Sequence, residues 1–333
     1  MGSCQTGAIS WFVAVRTGLD AILAFMDNKT NSDGFHDHVH KKRDSQKTSQ
    51  LRNGRETRSN RSGSRRRADE LLQKMNKLGR ILFALGLAGL GVLSLNYRSF
   101  ALVWQPVPEP FPHRELFAII SGSILIAGGI CLLLPRSARW ATFGLTVFLS
   151  SWVALQIPFN IWKHPSSSSA WTTLAETIIL ISGGWILFGS KTQVENGPDL
   201  NADSVSYLNR ACQLAFALAL PVISISHFVY AFSHPAKVPQ WIPFYVGFAF
   251  LTGVAHAAAG IGILTRIASR LAASLEAVMI GLFALILHLP LIALQPTNRL
   301  YWTTLFIATA CSGGSFIVAS SIPKATKARQ HDR

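Results

Sequence analysis

Four ionisable side chains stand inside long apolar stretches of this chain: Glu176, His256, Glu276 and His288. An ionisable group is costly to place in a membrane helix, so it marks a proton or ligand site unless a neighbouring helix satisfies it. Gln156, His227 and Asn96 join them as polar residues toward the outer ends of the same stretches. At about 1.5 Å of rise per residue, Glu176 lies roughly 9 Å below the outer end of its stretch, and His288 falls in the same half of the bilayer. His256 falls near the midplane, and Glu276 roughly 9 Å in from the cytoplasmic side. A carboxyl can exchange protons and an imidazole can hydrogen-bond a carbonyl. Glu176 and His288 would therefore form one site if the two halves of the chain pack with those faces together. The competing expectation is structural, with each group bonded to the next helix.

The apolar stretches are the elements that must position these groups. Only 14% of the residues are charged and 49% are hydrophobic, against about 25% charged in soluble domains. Eight stretches approach the roughly 20 residues a helix needs to cross a bilayer. They are 79–97, 115–134, 138–160, 170–190, 208–230, 244–264, 268–292 and 301–321. In lipid every backbone group must be satisfied within its own segment, which makes these helices and not strands. The expected class is an all-α integral membrane protein with eight transmembrane helices, its partner the lipid bilayer.

Basic residues set the expected orientation. Short loops keep Arg136, Arg139, Lys191, Arg210, Arg266 and Arg270 on one side, with Arg65 to Arg67 and Lys324, Lys327 and Arg329 near the ends. The positive-inside rule makes that side, and both termini, cytoplasmic. Trp104, Trp162, Trp171, Trp241 and Trp302 collect on the other side, as an aromatic belt would. The formal charge of +15 follows from these loops and a basic tail facing anionic lipid, so nucleic acid is not an expected partner.

Ahead of the spans, residues 27–72 are rich in Ser, Asn, Arg and Lys, which predicts disorder. Met75, with Lys77 and Arg80 behind it, would suffice as a start, because the topology needs only that short basic lead. His36, His38 and His40 read as a solvated polar tract and not a metal site. Cys4, Cys131, Cys212 and Cys311 are widely spaced, which indicates neither a disulfide framework nor a thiol relay. Phosphate-loop, HExxH, haem-attachment and nucleophile-elbow motifs are missing, which speaks against a self-sufficient enzyme.

The second half repeats the first at an offset of about 131 residues. Trp171-Thr172-Thr173-Leu174 recurs as Trp302-Thr303-Thr304-Leu305, Ser182-Gly183-Gly184 as Ser312-Gly313-Gly314, and Ile157-Pro158 as Leu289-Pro290. Four spans per copy return the chain to the same side, so the copies are parallel repeats. The expected organisation is a basic disordered region 1–77, a first four-helix unit 78–190, a cytoplasmic linker 191–206, a second unit 207–321 and a basic tail 322–333. In each unit the longest outer loop is Pro-rich, Trp104 to Pro112 and Pro239 to Pro243, which favours an extended lid over a helix. Glycines such as Gly128, Gly129, Gly183 and Gly184 allow close helix approach. Pro158 and Pro290 should end the third spans, and Pro221 should kink the fifth.

The repeat also supplies a control. Ile307 stands opposite Glu176, Leu125 opposite His256, Leu145 opposite Glu276, Gln156 opposite His288 and Asn96 opposite His227. Groups needed only for folding should occur in both copies. Their asymmetry favours one site over two.

Each copy resembles the DoxX family of small four-span membrane proteins. The resemblance rests on the span from Gly128 to Arg139, the Leu287-His288-Leu289-Pro290 close of a third span, and the Trp-Thr opening of the fourth. It implies a fused tandem in a plasma (inner) membrane, serving as membrane subunit or accessory of a quinone-linked redox system. Quinone would then be the cofactor and a redox enzyme subunit the partner. The quinone head would lie under the outer lid, with Glu176 exchanging protons and His288 bonding a carbonyl. A transporter or lipid-handling protein with one intrabilayer site is the alternative, and a scaffold without chemistry of its own the third.

Overall fold

The computed structural model describes residues 42–134, 137–194, 202–233 and 241–323. The chain divides into two units, Met1–Arg67 and Ala68–Arg333, and the second carries all the spans. In chain order the helices are α1 (Lys42–Tyr97), α2 (Arg114–Leu133), α3 (Ala138–Gln156), α4 (Ser168–Val194) and α5 (Ala202–Ser233). They continue with α6 (Tyr245–Leu264), α7 (Ser269–Leu282), α8 (Leu289–Leu294) and α9 (Arg299–Ser321).

Eight helical segments among the described residues are long and apolar enough to cross a membrane. They are Asp69–Tyr97, Arg114–Leu133, Ala138–Ile161, Ser168–Ser190, Asp203–Phe232, Tyr245–Leu264, Ser269–Leu294 and Arg299–Ser321. This is a multi-pass membrane protein. The segments match the apolar stretches closely, because the bilayer fixes both their length and their composition.

Two departures have local causes. Residues 42–72, expected to be disordered, belong to α1. A helix already nucleated by an apolar span propagates outward at little cost, and Arg, Lys, Gln and Glu are good helix formers. His36, His38 and His40, Arg136, Lys237 and residues 324–333 lie outside the described residues. The third spans do not stop at their prolines. Each passes through a π-helical turn, Ile157–Ile161 and Phe283–His288, and the second then resumes as α8. A wider turn lets the helix tolerate the N–H that Pro158 or Pro290 cannot supply.

α4 and α9 form the centre, with 61% and 72% of their apolar windows buried. Glycine sets how near the other helices come, since lipid offers no hydrophobic drive and packing must supply the attraction. A Cβ on Gly79 would meet the Gly313 carbonyl at 2.8 Å, and one on Gly86 the Ala310 nitrogen at 2.5 Å, so α1 lies against α9. α5 packs on α4 and on α6. The first span of each half thus rests on the last span of the other half. Pro221 lies within α5, and Gly260 of α6 sits against the Ala217 carbonyl that the proline leaves free, with a Cβ there only 2.8 Å away.

Candidate functional site

The loop after α1 does fold as a lid, but it turns inward. Trp104 is fully buried and not part of an interfacial belt, which corrects its expected place; Trp162, at 74% exposure, does face outward. The Trp104 indole N–H donates to Thr177 Oγ1 at 3.1 Å, and Gln156 Nε2 donates to the same hydroxyl (2.9 Å) and to the Trp104 carbonyl (3.1 Å). Gln105 Nε2 donates to Ser121 Oγ at 2.9 Å. Gln156, singled out as a polar neighbour of a site, is therefore a pin that holds the lid root in the bundle.

Between this lid, α2 and α3 lies a pocket of about 230 Å³. Its walls are aromatic: Phe100, Phe111, Phe117, Phe148, Trp152 and Phe159. Phe100 packs edge-on to Trp152, with ring centroids 5.6 Å apart. Phe117, Ile120 and Ile124 on the rim point out of the bundle, toward lipid. Two donors sit in the wall. The Trp152 N–H is buried without a partner, and Ser121 accepts from Gln105 while keeping its own O–H to give. Neither Glu176 nor His288 lines this pocket.

The strongest convergence of the sequence candidates occurs elsewhere. His256 Nδ1 and Glu276 Oε1 are 2.7 Å apart, with side chains only 2% and 0% exposed. His227 stacks on His256, centroids 4.9 Å apart and planes 25° off parallel, and Phe283 stands 6.0 Å and 6.3 Å from the two rings. His256 Nε2 and Glu276 Oε2 are buried without partners. Three of the six candidates, from α5, α6 and α7, thus make one dry cluster that can hold a proton between carboxyl and imidazole. The corresponding positions in the first half, Leu125 and Leu145, are buried leucines.

This pairing was within reach of the sequence. His256 lies eight residues before the end of α6 at Leu264, and Glu276 seven residues after the start of α7 at Ser269. Counting from their shared turn gives depths of about 12 and 10 Å, the same level. Placing His256 by the midplane and Glu276 by the cytoplasmic side, without a shared reference, hid that.

Glu176 and His288 are not brought together. His288 Nδ1 donates to Thr304 Oγ1 at 3.2 Å, and that hydroxyl donates onward to the Tyr301 carbonyl. Glu176 lies within electrostatic reach of Tyr230 and of Cys311, whose thiol points to the Glu176 carbonyl oxygen at 3.8 Å. Thr172 and Ser226 are hydrogen-bonded beside it. Asn96 is exposed. No family model, no curated protein and no solved structure matches this chain.

Proposed function

We propose that this protein is a membrane-embedded binding subunit for a lipid-soluble quinone, serving a quinone-linked redox partner. The observation that carries the reading is the lid pocket, an aromatic slot rimmed by lipid-facing Phe117, Ile120 and Ile124 with the unpartnered Trp152 N–H in its wall. A flat carbonyl-bearing ring would stack on the phenylalanines and accept from Trp152 and Ser121, while its tail stays in lipid. Pockets of this kind take their ligand by apolar burial and fix its orientation with few polar groups.

The DoxX-like tandem supports the same reading. Equivalent residues of the two copies behave alike: Trp171 and Trp302 each donate to a Pro carbonyl six residues back, Pro165 and Pro296, both at 2.8 Å. Both third spans carry a π-helical turn, and both second spans follow a residue in the left-handed region, His113 and Phe244. Gly183 and Gly314, from the matched Ser-Gly-Gly segments of the two copies, touch each other, so the last spans of the copies meet there. The basic face is the cytoplasmic face of a plasma membrane in this reading, and the lid faces outward.

The test is quinone binding to the purified full chain in nanodiscs, read by tryptophan quenching. Losing one hydrogen bond of about 1 kcal/mol weakens binding roughly fivefold in Trp152→Phe, whereas exposed Trp162→Phe leaves it unchanged. Equal affinity in both variants sinks the reading.

A second reading, proton-coupled movement of a solute or lipid, rests on the His256–Glu276 pair. A buried proton-holding pair that the first half replaces with leucines is what a coupling site requires. Uptake into proteoliposomes driven by a pH gradient, abolished in Glu276→Gln, would favour it over the first.

A further inference from the structure

At the arginine-rich end, α5, α6, α7 and the end of α9 enclose a cleft of about 640 Å³. Arg210, Arg266 and Arg270 line it, and among the described residues no acid does. Arg270 is already committed in part, since its Nε donates to the Ile322 carbonyl at 2.9 Å and Asp69 lies within its electrostatic reach. Arg210 and Arg266 are exposed and make no ion pair among the described residues. Arg266 sits in the left-handed region (φ 61°), with Ala268 (φ 53°) two residues on in the α6–α7 turn.

The wall of the cleft also carries apolar side chains. Leu214, Leu264 and Leu271 line it and are 42%, 38% and 51% exposed, facing the surroundings of the bundle. A ligand that fits must bring an anion for the guanidiniums and apolar chains for the leucines.

We infer that this cleft binds an anionic phospholipid. The phosphate lies between Arg210 and Arg266, and the acyl chains run along the three leucines into the bilayer. Guanidinium groups suit a phosphate because they present paired donors in one plane. A soluble phosphate ester would satisfy the arginines but leave the leucine wall unused.

The test uses the full chain in phosphatidylcholine nanodiscs doped with phosphatidylglycerol, with bound lipid counted by native mass spectrometry. Retention of phosphatidylglycerol over phosphatidylcholine, undiminished by millimolar glycerol phosphate, is the expected result. Arg210→Gln and Arg266→Gln should each lower that preference about fivefold, as one cation near the surface contributes. Arg98→Gln, an exposed arginine at the lid end, should not change it. Unchanged melting in pure phosphatidylcholine shows that each variant folds. Displacement by glycerol phosphate would make the ligand a soluble phosphate and overturn the assignment. An equal loss in Arg98→Gln, or no preference in the unaltered chain, would overturn it as well.

Discussion

Gly183 and Gly314 meet backbone to backbone at the centre of the bundle: a Cβ on Gly183 would lie 2.7 Å from the Gly314 Cα. Their helices, α4 and α9, are the two most buried spans. Around this contact Gly184 is closed by Thr146, and Gly313 by the Phe83 backbone and the Gly79 carbonyl. The core is therefore organised by backbone proximity, with side chains filling what remains.

A side chain at Gly183 should accordingly be disruptive. Gly183→Val should destabilise the protein by about 1–3 kcal/mol, because the contacting atom is backbone and cannot rotate away. Gly144 and Gly247 have open space where a Cβ would sit. Gly144→Ala and Gly247→Ala should be neutral or stabilise by up to about 1 kcal/mol through helix propensity. Thermal unfolding in one detergent, run on all three variants, checks the contrast.

The His256–Glu276 pair should behave as a unit. Glu276→Leu alone strands a buried imidazole that has lost its partner, and His256→Leu alone strands a buried carboxyl group. Either should destabilise by roughly 3 kcal/mol or more. The double change to leucine recreates what Leu125 and Leu145 already do in the first half, and should restore most of the stability. The double-mutant cycle should therefore show a coupling energy of about 5 kcal/mol, because the double change avoids most of both single losses. Additive losses would show that the two side chains act independently.

Thr177 is the joint on which the lid closes, receiving both the Trp104 indole and the Gln156 amide. Its own hydroxyl donates to the Thr173 carbonyl at 2.8 Å, which turns its lone pairs toward the lid. Thr177→Val keeps the shape and removes the acceptor, leaving two buried donors with one bond fewer each. The expected cost is about 1–3 kcal/mol. Faster amide exchange over Ala101 to Val107, with the helices unaffected, is the signature that hydrogen-exchange mass spectrometry would read.

The sequence disclosed length and spacing but not facing. All eight spans could be bounded to within a few residues because hydrocarbon thickness constrains each independently. The exception is the start of α1, where no hydrophobic boundary exists and helix propagation decides. Whether a polar residue points at a neighbour depends on which helices meet, and that is set by glycine contacts between distant spans. Glu176 and His288 share a leaflet by count, yet they belong to different neighbourhoods, one beside Tyr230 and the other beside Thr304. Trp104 carried an interfacial signature by composition. Its loop instead doubles back at Val103, which sits at φ 64°, and drives the indole to Thr177.

Arg299, at the start of α9, ties the two halves of the chain together at the lid. Its Nη2 donates to the carbonyls of Ser99 (2.9 Å) and Phe100 (2.7 Å), and its guanidinium carbon lies 4.7 Å over the Tyr97 ring. Lysine would keep the charge but lose the planar group that stacks on Tyr97 while forking two bonds. Arg299→Lys should therefore cost roughly 1.5–3 kcal/mol, the range for hydrogen bonds to a charged group. Because Phe100 is a wall of the pocket and packs on Trp152, the same change should weaken quinone binding although Arg299 does not line the pocket. Quinone affinity and melting temperature measured together settle it. A stability loss with unchanged affinity would mean that the Phe100 wall is held by Trp152 and Ala118 alone, without the arginine.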